Sequence, residues 1–240
     1  MKQIHVLQHT SAEYLGLIED HLEGRNVRFK YYRPFAGKES LPHRDKISEG
    51  LIMLGGGPWG SAGGRDLPTL KEEIALAHAC LMRDWPVVGI GLGAQILALA
   101  AGGTVQATPL TFDITTAHRV DAGAKDGAPD SSLDSFVPRE FPLVLYLRDW
   151  PQPPTYATIL ARDPLQRPVV WRIGKKAIGF AGHPGIKRAM IEDLIMEFEE
   201  SPPGVAERLN ELLAVRRPLE DALVPIMTGL VRQTGWMDAA

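Results

Sequence analysis

Three short glycine-bearing segments hold the residues whose types and spacing suit chemistry. In Gly89-Ile90-Gly91-Leu92-Gly93-Ala94-Gln95 an apolar run gives way to glycines and then to a helical pattern. A helix that opens on such a turn points its first N–H groups at one spot, which favours an anion or the oxyanion of acyl-group chemistry. Gly55-Gly56-Gly57-Pro58-Trp59-Gly60 also follows a short apolar run, and consecutive glycines leave backbone N–H groups uncovered. Gly182-His183-Pro184-Gly185 sets an imidazole in a turn after a predicted strand end. Each segment also has a plainer reading. Glycines let a helix pack close to its strand or simply turn the chain, and a lone histidine is more often a surface or core residue. What sets these three apart is that each follows the end of a predicted strand, so all fall where open α/β sheets bind ligands.

The elements that must position them are read from the hydrophobic pattern. Ile4-His5-Val6-Leu7 predicts a first strand, followed by a helix over 12–22 on Leu15, Ile18 and Leu22. Val27-Arg28-Phe29-Lys30-Tyr31-Tyr32 is β-branched and aromatic, a second strand. Leu51-Ile52-Met53-Leu54 and Pro86-Val87-Val88-Gly89-Ile90 are short apolar runs between breakers, as in buried parallel strands. A helix over 70–81 lies between them, on Leu70, Ile74, Ala77 and Leu81, and another over 95–101 ends at Gly102-Gly103. The β-α-β-β-α-β-α order predicts an α/β fold, a mainly parallel sheet with helices on both faces. Residues 121–142 read as a long polar surface loop, and 169–173 with 177–180 as a hairpin. From Ile186 onward the pattern is helical, cut by Pro202-Pro203-Gly204 and Pro218 into about three helices.

Composition narrows the function classes. The chain has 240 residues, 45% hydrophobic and 23% charged, with 26 Lys+Arg against 29 Asp+Glu for a net charge of −3. That balance excludes general disorder and bulk nucleic-acid binding. No apolar run reaches the roughly 18–20 residues that span a bilayer, and the first residues lack the apolar block of a signal peptide. A soluble, cytoplasmic protein is expected. The single cysteine, Cys80, excludes an internal disulfide framework and a multi-thiolate metal site. The acidic residues Asp121, Asp126, Asp130 and Asp134 lack the alternating spacing of a calcium loop. No metal and no cofactor are expected.

Taken in order and spacing, the three segments resemble the class I glutamine amidotransferase family. Its pattern is a strand then Gly-Gly-Pro, a strand then Gly-x-Cys-x-Gly-x-Gln, and later Gly-x-x-x-His-Pro-Glu. This chain reads Gly56-Gly57-Pro58, then Gly89-Ile90-Gly91-Leu92-Gly93-Ala94-Gln95, then Gly179-Phe180-Ala181-Gly182-His183-Pro184-Gly185. The resemblance implies a flavodoxin-like architecture, with an amidotransferase-like domain over 1–185 and a helical extension over 186–240 packed on it. In the family a cysteine attacks the glutamine amide, a histidine is its base, and a glutamate orients the histidine. Here the nucleophile position is Gly91 and the orienting position Gly185, while the base position keeps His183. The resemblance further assigns Gly56, Gly57 and Leu92 to an oxyanion cradle, and Gln95 and Asp149 to the ligand pocket. Asp149 stands where the family carries a His-x-Asp segment, but no histidine precedes it.

Losing the nucleophile alone costs on the order of 10⁶ in turnover. Cys80 is no substitute, because the helix that carries it runs back to the opposite edge of the sheet. The expected function is therefore a disarmed glutaminase that binds a small molecule bearing a carboxylate or amide, glutamine among them, or that serves a synthetase-type protein partner. The alternative is a residual amidohydrolase in which His183 works on water. A dinucleotide-binding reading of Gly89-x-Gly91-x-x-Ala94 lacks a convincing acidic residue about 20 positions on; Asp113 is nearest, with no clear strand before it. An α/β-hydrolase would need a nucleophile at Gly91.

Overall fold

Strand β1 (Gln3–Leu7) turns four of its five side chains into the core, and β3 (Leu51–Met53) and β4 (Val87–Ile90) are buried along their whole length. Burial on both faces is the mark of central parallel strands. Together with β2 (Arg28–Tyr32) they pair in parallel in the order β2-β1-β3-β4. β11 (Ala177–Phe180) continues the parallel set beside β4. The computed structural model describes residues 2–37, 41–120 and 136–237.

Beyond β11 the sheet turns antiparallel through β10 (Pro168–Ile173), β9 (Thr158–Arg162), β6 (Thr111–Arg119) and β7 (Glu140–Leu147), giving nine strands in all. A small ribbon pairs β5 (Thr104–Gln106) with β8 (Trp150–Gln152). Helices α1 (Leu17–Glu23), α2 (Leu70–Met82) and α3 (Leu92–Ala100) follow β1, β3 and β4. Three further helices close the chain: α4 (Arg188–Glu197), α5 (Val205–Ala214) and α6 (Arg216–Thr234). Two cores result, a large one around β1, β3, β4 and β11, and a smaller one joining α4 to Phe112, Val144 and Tyr146. Among the described residues no helix is long and apolar enough to cross a membrane.

The α/β architecture with its parallel centre is as the pattern predicts, and the 169–173/177–180 hairpin is present as β10 and β11. Three details differ. The helix expected over 12–22 begins only at Leu17. The peptide groups before it are satisfied from elsewhere: Ser11 and Ala12 N–H donate to Glu197, and Leu15 N–H to the Tyr31 hydroxyl. A chain so held does not need intrahelical bonds. The helix expected over 95–101 begins at Leu92, so Gly91 alone makes the turn. Asp113 lies inside β6, four strands from β4, too far along the sheet to serve a dinucleotide fingerprint at Gly89. The tail divides into three helices as expected: α5 ends at Ala214 and α6 starts at Arg216, with Pro218 in its first turn, where its missing N–H could not bond the Ala214 carbonyl to continue α5. Of the loop expected over 121–142, residues 121–135 lie outside the described residues, with Asp121, Asp126, Asp130 and Asp134 among them, and 140–142 belong to β7.

Candidate functional site

The carboxyl ends of β1, β3, β4 and β11 converge on one edge, at the place where strand order reverses from β1 to β3. Gly91 forms the turn from β4 to α3 at φ 56° and ψ −114°. Its N–H donates to Phe180 O at 2.9 Å, and the Gly93 N–H to Leu54 O at 3.0 Å. These bonds tie the turn to β11 on one side and β3 on the other. A Cβ added at Gly91 would lie 3.3 Å from Gly55 Cα and would meet no side chain within 4 Å. The backbone is thus a strained strand-to-helix turn with open space where a side chain would stand.

Opposite lies the glycine loop after β3. The Gly57 N–H donates to Glu13 Oε2 at 3.1 Å. Glu13 is 2% exposed. Burial pushes its carboxyl up to about 7, against the pull of the Gly57 N–H and the nearby His9. Gly55 has to lack a side chain, because a Cβ there would collide with the Glu13 carboxylate. The Thr10 hydroxyl accepts the Glu13 N–H at 3.0 Å and fixes the loop's course.

His183 is equally enclosed, at 3% exposure. Its backbone N–H donates to Val144 O on β7 at 2.9 Å. Nε2 faces the Tyr14 carbonyl at 2.9 Å, and Nδ1 faces the Gly185 N–H at 3.1 Å. A carbonyl only accepts and an N–H only donates, so Nε2 carries the proton and Nδ1 offers its lone pair to Gly185. Burial holds the imidazole down to about 4, against those backbone bonds. The ring is neutral and both nitrogens are engaged. Gly185 is closed in as well: a Cβ there would lie 2.9 Å from Ile18 Cγ1 and 3.1 Å from Ile18 N. Its carbonyl accepts the Leu17 N–H at 2.8 Å.

Gln95 and Asp149 are brought together in one network. Gln95 Oε1 accepts from the Ser61 hydroxyl at 2.6 Å, and Nε2 donates to Arg148 O at 2.6 Å and Asp149 O at 3.2 Å. The Asp149 carboxylate accepts from Ser61, Ala62 and Thr108 N–H groups at 2.9–3.2 Å. Both side chains are buried and hold the loop after Gly60 in place. Gly56 packs under Leu92, whose side chain a Cβ at Gly56 would strike.

Several participants escape sequence reasoning. His9 is buried beneath the glycine loop, with Nδ1 on Leu54 O and Gly55 O at 3.0 and 3.1 Å and Nε2 on Glu73 at 2.8 Å. Burial alone would lower its imidazole, but Glu73's charge and hydrogen bond, with the Gly55 carbonyl, outweigh it and raise the pKa. Glu13 and Tyr14 fill the site from the β1 side, and Glu197 on α4 clamps the same loop by accepting Ser11 and Ala12 N–H groups at 3.1 Å. Glu200, just past α4, pairs with Arg148 and Arg65, while the Arg148 Nε donates to Pro58 O at 2.9 Å. The one signal that could have pointed to His9 and Glu13 is their place directly after the first strand; reading 12–22 as a helix hides it.

Chemically, the site offers hydrogen-bond donors and a closed, buried interior. Cys80 is buried on α2, its thiol pushed up to about 12 by burial, which leaves no thiolate at neutral pH. Among the described residues no group of three His, Cys, Asp or Glu side chains could hold a metal ion.

Residues 10–135 match the family model described as glutamine amidotransferase class-I. Among solved structures, a glutamine amidotransferase from Methylobacillus flagellatus is similar at 21% identity and a TM-score of 0.78, over 97% of this chain and 95% of that one. A glutamine amidotransferase from Thermotoga maritima is similar at 21% identity and 0.76, over 97% and 98%. A Thermoplasma acidophilum chain described as one subunit of a GMP synthase is similar at 16% identity and 0.52, over 90% and 98%. No curated protein matches the sequence.

Proposed function

Since the matching model spans more than half of its length, this chain belongs to the class-I glutamine amidotransferase family, and we propose that it is a member without glutaminase chemistry that works as a ligand-binding or partner subunit. The reading is supported by one observation: Glu13 and Tyr14 hydrogen-bond the Gly57 N–H and the His183 ring, groups that a substrate would need. Glu13 takes the Gly57 N–H, one of the donors an oxyanion would need, and Tyr14 takes His183 Nε2–H. A glutamate side chain has the length of a glutamine side chain and ends in the same planar group. Glu13 thus stands in, from within the chain, for the carboxamide that the fold would otherwise hold.

In this reading Gly57 and Leu92 form the cradle, Gly56 keeps the approach close, and Gln95 and Asp149 position the loop rather than bind ligand. Gly91 and Gly185 mark the lost nucleophile and the lost orienter. An external carboxylate or amide, glutamine included, has to displace Glu13 from Gly57. Residues 186–240 are an extension in sequence, yet α4 helps to seal the site, so they work as part of the 1–185 domain. The partner role carries over from the GMP synthase chain only that this fold operates beside another chain. The rival in which His183 activates water needs a free imidazole lone pair, and the only one it has accepts the Gly185 N–H.

Glutamate and ammonia release from glutamine by the purified protein tests this, beside His183→Ala. The expected result is no release above the blank by either protein. Turnover that His183→Ala abolishes overturns the reading and restores an enzyme.

A further inference from the structure

Directly behind the His183 turn, a second concavity of about 370 Å³ opens between the start of α4, the end of α5 and the start of α6. It belongs to none of the family segments. Its floor is aliphatic, made by Leu17, Ile186, Leu212 and Leu219, with Leu213 at the lip 52% exposed. Its rim is cationic: Lys187, Arg188 and Arg216 face it, against the single carboxylate of Glu220.

One charge on that rim is not balanced from within. Arg188 pairs with Glu192 and Arg216 with Glu220, each at 2.8 Å. Among the described residues no carboxylate pairs with Lys187, whose ammonium lies 5.9 Å from the centre of the Tyr14 ring. Neither α4 nor α6 carries an acidic residue in its first turn, and both begin at this cavity. The N-termini of α4 and α6 add partial positive charge there and the C-terminus of α5 partial negative charge, so Lys187 supplies the cavity's uncompensated full charge. An apolar hollow of this size with one convergent charge has the make-up of a small-molecule site.

We propose that this cavity binds a small amphipathic monocarboxylate, with its hydrocarbon part on Leu212, Leu213 and Leu219 and its carboxylate on Lys187. The inference does not rest on the state of Gly91 or His183. It commits to a negative charge, because Lys187 is the one rim cation without a carboxylate partner among the described residues, and a cationic ligand would meet it with a like charge.

Octanoate and octylammonium are the probes, titrated into the full chain and followed by calorimetry and by NMR shifts of Leu methyl groups. Octanoate is expected to bind saturably, and octylammonium at least tenfold more weakly. Lys187→Met keeps the aliphatic stem and removes the charge, and should weaken octanoate at least tenfold. Leu213→Glu at the lip should do the same, while Leu165→Glu, an exposed site on another surface, should leave binding unchanged. A thermal melt of each variant verifies that it is folded. No saturable octanoate binding, equal binding of octylammonium, or insensitivity to both Lys187→Met and Leu213→Glu overturns the proposal.

Discussion

A Cβ added at Gly91 would touch only backbone, 3.3 Å from Gly55 Cα, whereas one added at Gly185 would press on the side chain and backbone of Ile18 at 2.9 and 3.1 Å. In the proposed reading both glycines mark lost catalytic positions, yet their surroundings differ. The turn at Gly91 is set by the join between β4 and α3 and by bonds to Phe180 and Leu54. Those constraints belong to the fold, so the turn keeps its shape with or without a nucleophile. At Gly185 the first residues of α1 pack against the turn, and the Leu17 N–H bonds the Gly185 carbonyl. The elbow, held by backbone bonds, keeps open space at position 91, while the space at position 185 is filled by packing.

The sharpest way to break that comparison is Gly185→Glu. Forcing a side chain and a charge into this packed position should cost on the order of 4 kcal/mol or prevent folding, read from urea denaturation. A Gly185→Glu protein as stable as the parent would mean that the histidine side is as open as the elbow.

Glu13→Gln comes next. Because burial raises the Glu13 carboxyl from 4.5 to about 7, the parent is most stable with respect to this group below pH 4.5 and loses that stability as pH rises toward 7. The glutamine variant cannot ionise, and should exceed the parent by roughly 3 kcal/mol above pH 7, with the difference vanishing below pH 4.5. His183 pulls the other way. Its pKa is depressed from 6.5 to about 4, so its contribution is present above pH 6.5 and fades on acidification toward pH 4. Only the difference between Glu13→Gln and parent denaturation curves isolates the carboxyl; a flat difference across pH removes Glu13 from the closed site.

Gln95→Ala should cost about 2–3 kcal/mol, because it strands the Ser61 hydroxyl and two carbonyls in the interior. The same denaturation experiment reads it. The smallest effect is expected from Gly91→Cys, about 1–2 kcal/mol for a side chain at φ 56°. It should fold and still release no glutamate from glutamine, since His183 has no free lone pair to take the thiol's proton. Release by the single variant would show that His183 Nδ1 can leave the Gly185 N–H.

Much of the fold is written locally. The runs at Leu51, Val87 and Ala177 are buried on every residue, as suits a central strand, and the breakers after them mark the site edge. The antiparallel half is harder to read. In β6, Thr111–Arg119, polar residues interrupt the alternation because exposed and buried faces mix along the strand, and the pattern loses its period. The glycines of the site are legible by position, but the residues that fill it are not. Glu13 and Tyr14 belong to a segment whose apolar spacing imitates a helix, and nothing local says that Glu197, far along the chain, will take up its N–H groups.

What the sequence determined by itself is therefore that positions 91 and 185 carry no side chain, whatever the chain does around them. The tertiary structure decided what the neighbouring groups bond to. The Gly57 donor and the His183 ring are both intact as residues, and both are bonded to residues 10–16, 44 and 169 positions away. A hydrogen-bonding group buried from water must find a partner; which partner it finds depends on what the fold brings beside it, and here it brings the chain's own glutamate and carbonyl.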